Sequence, residues 1–299
     1  MKATITDIQR FSLSDGDGIR TTVFFKGCNM KCGWCHNPET ISAQPELMFY
    51  RTKCIGCQKC FAACPTGAQQ CVDGSHFIDR TLCTNCGKCA AVCYAEALTM
   101  CGREMTVPEV MAEVRQDMAY YKNSGGGITL SGGEVLCHRE FAAALLDACH
   151  TEGIHTAIET NLSFAFEMAE PLLSRADLIM CDVKLYDDAA HRMHTGVSNR
   201  TILENVTKLD SLGVPVIVRT PLIPGVTDSA ENLTAIAKHI KHLKNLRRYE
   251  LLNFNPLGEG KYRALERANG FESARPFASD VLDGLKSAVE AVGVRVKIV

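Results

Sequence analysis

The hydrophobic and polar positions of the chain follow two alternating periods. Short, nearly continuous apolar runs predict buried strands, and apolar residues three and four apart predict helices. The predicted strands are Thr21–Lys26, Ile128–Ser131, His155–Thr160, Leu178–Val183, Val214–Thr220, Tyr249–Asn253 and Val294–Ile298. The predicted helices include Val107–Tyr121, Arg139–Glu152, Thr201–Leu212, Asp228–Lys244 and Ala278–Ala291. This alternation indicates a parallel sheet wrapped by helices.

The number of strand–helix units limits how far the sheet can close. About six units are too few for a full eight-fold barrel. We therefore predict an α/β fold, a partial (β/α)6 TIM-like barrel that stays open. Helix ends agree with the pattern, because Thr106 is a plausible N-cap and Gly153 a plausible C-cap. In such barrels the chemistry gathers at the carboxyl ends of the strands.

One segment departs from this pattern. From about Phe49 to Met100 the chain is rich in Cys, Gly and Ala and shows no long amphipathic period. We predict a small ferredoxin-like insert over 49–100, built from two halves at about 49–73 and 74–100. The remaining residues, 1–48 and 101–299, form the predicted core.

Composition narrows the classes of function. A net charge of −2 over 299 residues gives no general attraction to nucleic acid or to acidic membranes. The sequence has no apolar run near 18 residues and no signal-peptide pattern, so we predict a cytoplasmic protein. Sixteen cysteines in that setting indicate metal ligands rather than disulfides.

Eleven of the cysteines fall into three groups. The groups are Cys28, Cys32 and Cys35; Cys54, Cys57, Cys60 and Cys64; and Cys83, Cys86, Cys89 and Cys93. The five scattered residues, for which a small buried hydrophobe is the default expectation, are Cys71, Cys101, Cys137, Cys149 and Cys181.

The first group has the spacing C-x3-C-x2-C. Three thiolates in one loop can hold three irons of a cubane and leave the fourth iron open to a substrate or cofactor. A closed zinc site or an ordinary four-iron cluster needs four protein ligands. The alternative is a zinc knuckle that takes His36 as its fourth ligand.

The other two groups repeat the run C-x2-C-x2-C-x3-C after 29 residues. This is the run of two-cluster bacterial ferredoxins, in which the fourth cysteine ligates the other cluster. One four-iron cluster is therefore assigned to Cys54, Cys57, Cys60 and Cys93, and the other to Cys83, Cys86, Cys89 and Cys64. Paired zinc ribbons, the alternative, need two well separated C-x2-C pairs. Clusters with four thiolates suit electron relay, and the predicted total is three [4Fe-4S] clusters.

Further motifs complete a family pattern: Asp15–Thr21 (DGDGIRT), Cys28–Glu39 ending in HNPE, Ser124–Gly127 (SGGG) and Ser131–Glu134 (SGGE). With them the chain resembles the glycyl radical enzyme activating enzymes of the radical S-adenosylmethionine (SAM) superfamily, in the subgroup with a two-cluster insert. Four positions depart from the family pattern: Asp17, Tyr94 and Val135 replace prolines, and Asn255 replaces a histidine.

The resemblance implies an activity. Under anaerobic conditions SAM is cleaved reductively, and a hydrogen atom is taken from a glycine Cα of a partner glycyl radical enzyme. The products are methionine, 5′-deoxyadenosine and a glycyl radical. Flavodoxin or ferredoxin is the expected electron donor. The insert favours partners such as dehydratases, decarboxylases and lyases over pyruvate formate-lyase.

The resemblance also implies roles for residues at the strand ends. Gly132, Gly133 and Glu134 are expected to meet the SAM amino group, and Lys184 its carboxylate. A monovalent cation is expected near Glu159, Thr160, Met180 and Asp182. A purely structural Lys184–Asp182 ion pair is the competing interpretation.

Four more residues are candidate contacts. Arg219 is placed to meet the cofactor or the partner, and Asn255 retains a donor and an acceptor. Trp34 and His36 flank a cluster ligand, and Trp34 either packs on the adenine or shields the cluster. Two rival functions remain: a radical SAM enzyme acting on a small molecule or another peptide, and a polyferredoxin electron carrier.

Overall fold

The computed structural model describes all 299 residues. Its strands are β1 (Lys2–Ser12), β2 (Arg20–Phe25), β3 (Glu46–Phe49), β4 (Gln69–Val72), β5 (Ser75–Ile78), β6 (Leu98–Cys101), β7 (Arg103–Thr106), β8 (Gly127–Gly132), β9 (His155–Thr160), β10 (Leu178–Asp182), β11 (Val216–Pro221), β12 (Leu246–Leu252) and β13 (Val296–Ile298). Its helices are α1 (Lys59–Ala63), α2 (Lys88–Ala91), α3 (Val107–Val114), α4 (Met118–Ser124), α5 (Arg139–Thr151), α6 (Phe166–Leu173), α7 (Asp188–Thr195), α8 (Arg200–Lys208), α9 (Ala230–Ile240), α10 (Glu259–Leu265) and α11 (Ser279–Glu290).

Nine strands form one open sheet in the order β13-β12-β11-β10-β9-β8-β2-β1-β7. The strands from β2 to β13 in this order run parallel, whereas β1 and β7 extend the sheet antiparallel. The two end strands do not pair with each other, so the prediction of a partial barrel is confirmed. The antiparallel extension was not predicted, although Ala3 and Ile5 of β1 alternate with polar neighbours.

The sheet has two different faces. Its outer face packs against the helices in a cluster of 48 buried, mostly aliphatic residues. Its inner face buries only a small apolar group, formed by Ala157, Leu178, Met180 and Ile217. Charged side chains therefore occupy much of the space inside the partial barrel, and burying them requires partners.

The segment Ser14–Gly18 closes the amino end of the barrel. A Cβ on Gly18 would come within 2.4 Å of the Gly126 nitrogen, so only glycine allows the two loops to touch. Across the barrel, Asp17 accepts from Arg247 at 3.0 Å and from Arg248 at 2.9 Å. Asp17 thus ties this closing segment to β12.

The insert has its own small core. It leaves and rejoins the main domain through the antiparallel pair β3–β6, and the hairpin β4–β5 projects from it. Seven buried residues form a hydrophobic cluster, among them Leu47, Phe49 and Ile78 and the cysteines Cys60 and Cys89. The small number of apolar residues is consistent with a unit that depends on bound groups for stability.

The predicted helix Val107–Tyr121 is interrupted. Thr106 caps it as predicted, in a capping box with Glu109, but a tight turn at Arg115–Asp117 separates α3 from α4. The reason is Asp117, which is buried and accepts from Arg10 at 2.6 Å and from the Thr21 hydroxyl at 2.6 Å. The turn lets this carboxylate reach β2.

Of the scattered cysteines, Cys101, Cys149 and Cys181 are buried, as predicted. Cys71 and Cys137 are exposed, so the prediction for these two was wrong. Cys71 lies in the hairpin β4–β5 of the insert, where too little chain is available to cover it. None of the helices has the length and apolar character that a membrane crossing requires.

We expect Asp117→Asn to lower the free energy of unfolding by about 1–3 kcal/mol, because the change weakens two hydrogen bonds at a buried site. Thermal unfolding followed by circular dichroism on the anaerobic protein measures it. Glu104→Gln is the matched control, since its pair with Lys2 is exposed and contributes about 0–1 kcal/mol. Equal unfolding temperatures for the two variants would contradict the account of the α3–α4 break.

Candidate active site

The Cys28–Cys35 loop begins where β2 ends. Backbone hydrogen bonds fix it on both sides, from Gly27 N–H to the Thr40 carbonyl at 2.7 Å and from Gly33 N–H to the His194 carbonyl at 3.1 Å. Lys31 N–H donates to the Thr195 carbonyl at 2.8 Å, at the end of α7. The loop is therefore held at the carboxyl end of the barrel, where the fold predicts the functional residues.

The three thiols of this loop are placed together in a poorly solvated site. Burial raises the pKa of Cys28 and Cys35, to about 12 for Cys35, and the charge of Cys32 acts on both in the same direction. Ionised thiols are costly here without positive charge, and iron supplies that charge because a coordinating thiol loses its proton. The donor set fits a cluster held by three thiolates.

No group of three or more His, Cys, Asp and Glu side chains converges on a point as it would around a single bound ion. A four-iron cluster places its ligands further apart, since each thiolate binds a different iron.

β8 ends at Gly132, and Gly133 follows it directly beside this loop. Gly132 has φ +108°, and a Cβ there would come within 2.3 Å of the Phe25 nitrogen. The N–H groups of Gly133 and Glu134 donate to the carbonyls of Phe25 and Gly27, both at 2.8 Å, whereas the Gly133 carbonyl has no donor within the chain. The turn therefore presents an acceptor rather than a donor to a ligand.

The buried carboxylate of Glu134 joins the ends of β8 and β9. It accepts from the Asn161 N–H at 2.7 Å, from the Thr160 hydroxyl at 2.7 Å and from the Leu136 N–H at 3.0 Å. Burial raises the pKa of Glu134 to about 7 despite these bonds. Its carboxylate is occupied by the protein, so the side chain orients the turn.

Lys184 and Asp182 lie at the end of β10 and form an ion pair. Burial disfavours the ammonium, but the charges of Asp182 and Cys32 outweigh it and raise the pKa of Lys184. The other oxygen of Asp182, Oδ1, is buried and has no partner. An unpaired buried carboxylate oxygen beside a cationic group is a feature that a ligand would satisfy.

Arg219 lies on the inner face of the barrel within a network of acids. Its guanidinium donates to Glu250 at 2.9 Å, to Glu159 at 3.1 Å and to the Ser14 carbonyl at 2.8 Å. Burial raises the pKa of Glu159, which Arg219 opposes. Each guanidinium nitrogen has a partner, so contact between Arg219 and a cofactor stays a prediction.

The two other residues predicted near a cation are placed differently. Thr160 directs its hydroxyl to Glu134, as described above. Met180 packs on the inner face and lies opposite Glu159 in the parallel register of β9 and β10. The structure thus brings Met180, Glu159 and Asp182 to one region, with the Thr160 side chain turned toward the neighbouring turn.

Trp34, His36 and Asn255 lie around the Cys loop. Trp34 is buried with Leu185 and Ile223. The backbone and ring of His36 pack on Gly258, where a Cβ would meet them at 3.2 and 3.3 Å. Asn255 is exposed and caps a turn by accepting from the Leu257 N–H at 3.0 Å, which leaves its amide NH₂ free to donate.

The insert contains a cavity of about 150 Å³ that is lined by all four cysteines assigned to its first cluster, Cys54, Cys57, Cys60 and Cys93. Burial, and then the charges of Cys89, Cys54 and Cys57, raise the pKa of Cys60 to about 11. Cys93, which belongs to the second cysteine run, thus lines the same cavity as three cysteines of the first run.

The second set of predicted ligands likewise combines the two runs, because it takes Cys64 from the first run and Cys83, Cys86 and Cys89 from the second. Burial raises the pKa of Cys89, and the charges of Cys83 and Cys64 add to that shift, so Cys64 lies near the second run. Hydrogen bonds from the Thr66 hydroxyl at 3.6 Å and from backbone N–H groups, including that of Ala68 at 3.2 Å, outweigh burial and lower the pKa of Cys64 to about 7. The exposed Cys86 completes the set by sequence.

Sequence reasoning assigned no role to three residues of these sites. The Asn161 amide lies 3.8 Å from the Cys28 sulfur and 2.9 Å from Asn29, so it connects β9 to the cluster loop. Glu250 pairs with Arg219, and an acid inside the apolar run of β12 was the available signal. His76 faces the first insert cavity, and the sequence carries no signal for it.

Comparison with known proteins bears on these sites. The model of the radical SAM superfamily matches residues 80–236, and that of the 4Fe-4S dicluster domain matches residues 47–94. Benzylsuccinate synthase activating enzyme of Thauera aromatica is 43% identical over 90% of this chain and 83% of its own length. Trans-4-hydroxy-L-proline dehydratase activating enzyme of Clostridioides difficile is 39% identical over 100% of this chain and 99% of its own.

A solved structure supports the fold. The radical SAM methyltransferase of Sphaerobacter thermophilus aligns with a TM-score of 0.55 over 99% of this chain and 76% of its own, at 14% identity. The chain belongs to the radical SAM superfamily and, within it, to the glycyl radical enzyme activating enzymes. The predicted class is thereby confirmed. Membership of the superfamily implies a four-iron cluster and SAM, and the dicluster domain indicates additional clusters.

We expect Arg219→Met to lower the free energy of unfolding by about 3–5 kcal/mol, because Glu159 loses its cation and Glu250 keeps only Arg248. Adding Glu250→Gln to this variant should recover part of the loss. Thermal unfolding measures both variants. Arg175→Met is the control, since its pair with Asp147 is exposed. A loss in Arg219→Met no larger than in the control would exclude the buried network as a structural element.

Proposed function

We propose that this protein activates a partner glycyl radical enzyme in the cytoplasm under anaerobic conditions. The observation that carries the proposal is the meeting of a three-thiol loop, an unpaired glycine carbonyl and a buried lysine at one end of an open barrel. When bound, the cluster supplies one electron to SAM, which is cleaved to methionine and 5′-deoxyadenosine as a glycine Cα–H of the partner becomes a glycyl radical.

The chain's own residues would bind and orient SAM. Cys28, Cys32 and Cys35 hold the cluster and leave one iron without a protein ligand. The Gly133 carbonyl suits the SAM ammonium because it has no other donor, and Gly132 and Glu134 shape that turn. Lys184 is charged and buried near the thiols, where it suits the SAM carboxylate.

The remaining contacts follow from the rim of the site. Trp34 is buried beside the loop, so it shields the cluster or packs on the adenine. The free amide NH₂ of Asn255 can donate to the cofactor, at the position where the family pattern has a histidine. His36 holds the β12 loop against the Cys loop through Gly258. Arg219 holds Glu159 in place from below.

A monovalent cation would balance the charge of the bound state. Inside the barrel the acids Glu159, Glu250 and Asp182 face the cations Arg219, Arg248 and Lys184. When Lys184 turns to the SAM carboxylate, Asp182 loses its partner and both of its oxygens need a cation. Met180 and Glu159 lie beside it, and Thr160 lies on the same strand end.

The insert would supply the electron. We assign one [4Fe-4S] cluster to Cys54, Cys57, Cys60 and Cys93, and a second to Cys64, Cys83, Cys86 and Cys89, giving three clusters in the chain. Cys54 and Cys57 are exposed, so the first cluster lies near the surface, where flavodoxin or ferredoxin can deliver electrons.

The activity predicts a glycyl radical doublet in the electron paramagnetic resonance (EPR) spectrum. Reconstituted protein with SAM and dithionite should give it with one glycyl radical enzyme, and Cys32→Ala should abolish both the doublet and 5′-deoxyadenosine. Cys149→Ala, a buried cysteine of the main core, is the control and should keep both. Formation of 5′-deoxyadenosine with no doublet from any partner would point instead to a small-molecule or peptide substrate.

The cation predicts a salt dependence. Replacing sodium and potassium by tetramethylammonium at constant ionic strength should slow 5′-deoxyadenosine formation by about tenfold, a loss of about 1.4 kcal/mol. Asp182→Asn should be slow in all three salts. Equal rates of the unsubstituted protein in all three salts would rule out the cation and leave the SAM site itself untouched.

A further inference from the structure

His76 is held in a defined position at the first insert cavity. It lies on β5, and its ring packs between Phe49 and Phe61, with centroids 4.4 and 5.0 Å away. Its Nδ1 is 3.9 Å from the Cys54 sulfur, and its Nε2 is 4.0 Å from the Cys60 sulfur. Aromatic packing on two sides fixes the ring so that its edge faces the cysteines.

Gln69 decides which ring nitrogen carries the proton. Its Oε1 lies 2.7 Å from His76 Nε2, while its own Nε2 is buried with no partner. A half-turn of the carboxamide exchanges its two ends and brings the amide NH₂ to His76 Nε2. In that orientation the amide donates to His76 Nε2, the carboxamide oxygen takes the position without a partner, and the ring proton is on Nδ1, toward Cys54.

We propose that His76 donates its Nδ1–H to the Cys54 thiolate and raises the reduction potential of the cluster bound by Cys54, Cys57, Cys60 and Cys93. The inference rests on the proposed function, because it requires this cluster. Negative charge on the sulfur ligands increases when the cluster accepts an electron, so a hydrogen bond to sulfur favours the reduced form. His76 is therefore a positioning residue that makes this cluster a better electron acceptor.

The second cysteine set has no equivalent of His76. Cys83 faces Asn85 Oδ1 at 3.9 Å, and that oxygen already accepts from the Leu47 N–H at 3.0 Å. An oxygen fixed in this way cannot donate to a thiolate. Cys64 receives hydrogen bonds from the Ala68 N–H at 3.2 Å and from the Thr66 hydroxyl at 3.6 Å, and neither involves His76. A change at His76 should therefore shift one cluster only.

The test is a potentiometric titration of the fully loaded, anaerobic protein, followed by EPR. His76→Phe keeps an aromatic ring between Phe49 and Phe61 but removes the donor. We expect one of the three clusters to become harder to reduce by about tenfold in its equilibrium, or about 59 mV for one electron. The other two clusters should keep their potentials. His150→Phe, on α5 of the main domain, is the matched control and should shift none.

Two further variants keep the inference testable if His76→Phe binds less iron. In Gln69→Leu no side chain fixes the tautomer of His76, so the reduction potential of the same cluster should shift in the same direction by a smaller amount. His76→Gln retains a donor and should restore part of the potential. Full iron content with no shift in His76→Phe, or the same shift in His76→Gln, would overturn the role of His76.

The iron content of a Cys54→Ala, Cys57→Ala, Cys60→Ala triple variant separates this failure from failure of the proposed function. Loss of one cluster with no potential shift in His76→Phe refutes His76 alone. Iron content unchanged in the triple variant refutes the cluster assignment itself.

Discussion

The site depends on one buried carboxylate. Glu134 is a side chain of the β8 turn, yet its oxygens accept from the backbone of Asn161 and the hydroxyl of Thr160 at the end of β9. Asn161 in turn reaches the loop that carries Cys28. An acid in so dry a position is expensive to ionise, and three directed donors are what allow it to stay there. The glycine turn, the strand end and the cluster loop are thereby held in one arrangement.

The charged side chains inside the barrel are likewise stabilised by pairing. Arg219 of β11 pairs with Glu250 of the adjacent β12 and reaches past β10 to Glu159 of β9, whereas Asp182 pairs with Lys184 just beyond the end of its own strand. Parallel register makes this possible, because it places Arg219 opposite Asp182 on one side and Glu250 on the other. A polar interior of this kind gives up apolar packing in exchange for a site that can hold a charged ligand.

Much of this arrangement could be predicted from the sequence, and the exceptions have physical reasons. The strands of the parallel sheet are short, largely buried runs with an apolar centre, so His155–Thr160 was predicted with its observed bounds. The break at Arg115–Asp117 was missed because it depends on a hydrogen bond to a residue of β2, which local periodicity does not reveal. Cys spacing predicts the three candidate ligand groups, whereas His76 and Asn161 make contacts between distant segments of the chain. Spacing describes neighbours along the chain, whereas His76 and Asn161 each come close to a cysteine only in the folded structure.

The closed amino end of the barrel has a consequence for the protein substrate. Ser14–Gly18 covers the bottom, fastened by Asp17 to β12 and by the contact of Gly18 with Gly126. The barrel is thus closed at its amino end, and a polypeptide cannot pass through it from one end to the other. A partner's reactive segment would therefore reach the Cys loop from the carboxyl rim or through the open side of the barrel between β13 and β7. A segment that came in from the rim alone would have to separate from its own fold first, and the free energy of that local unfolding would then limit how fast the two proteins react.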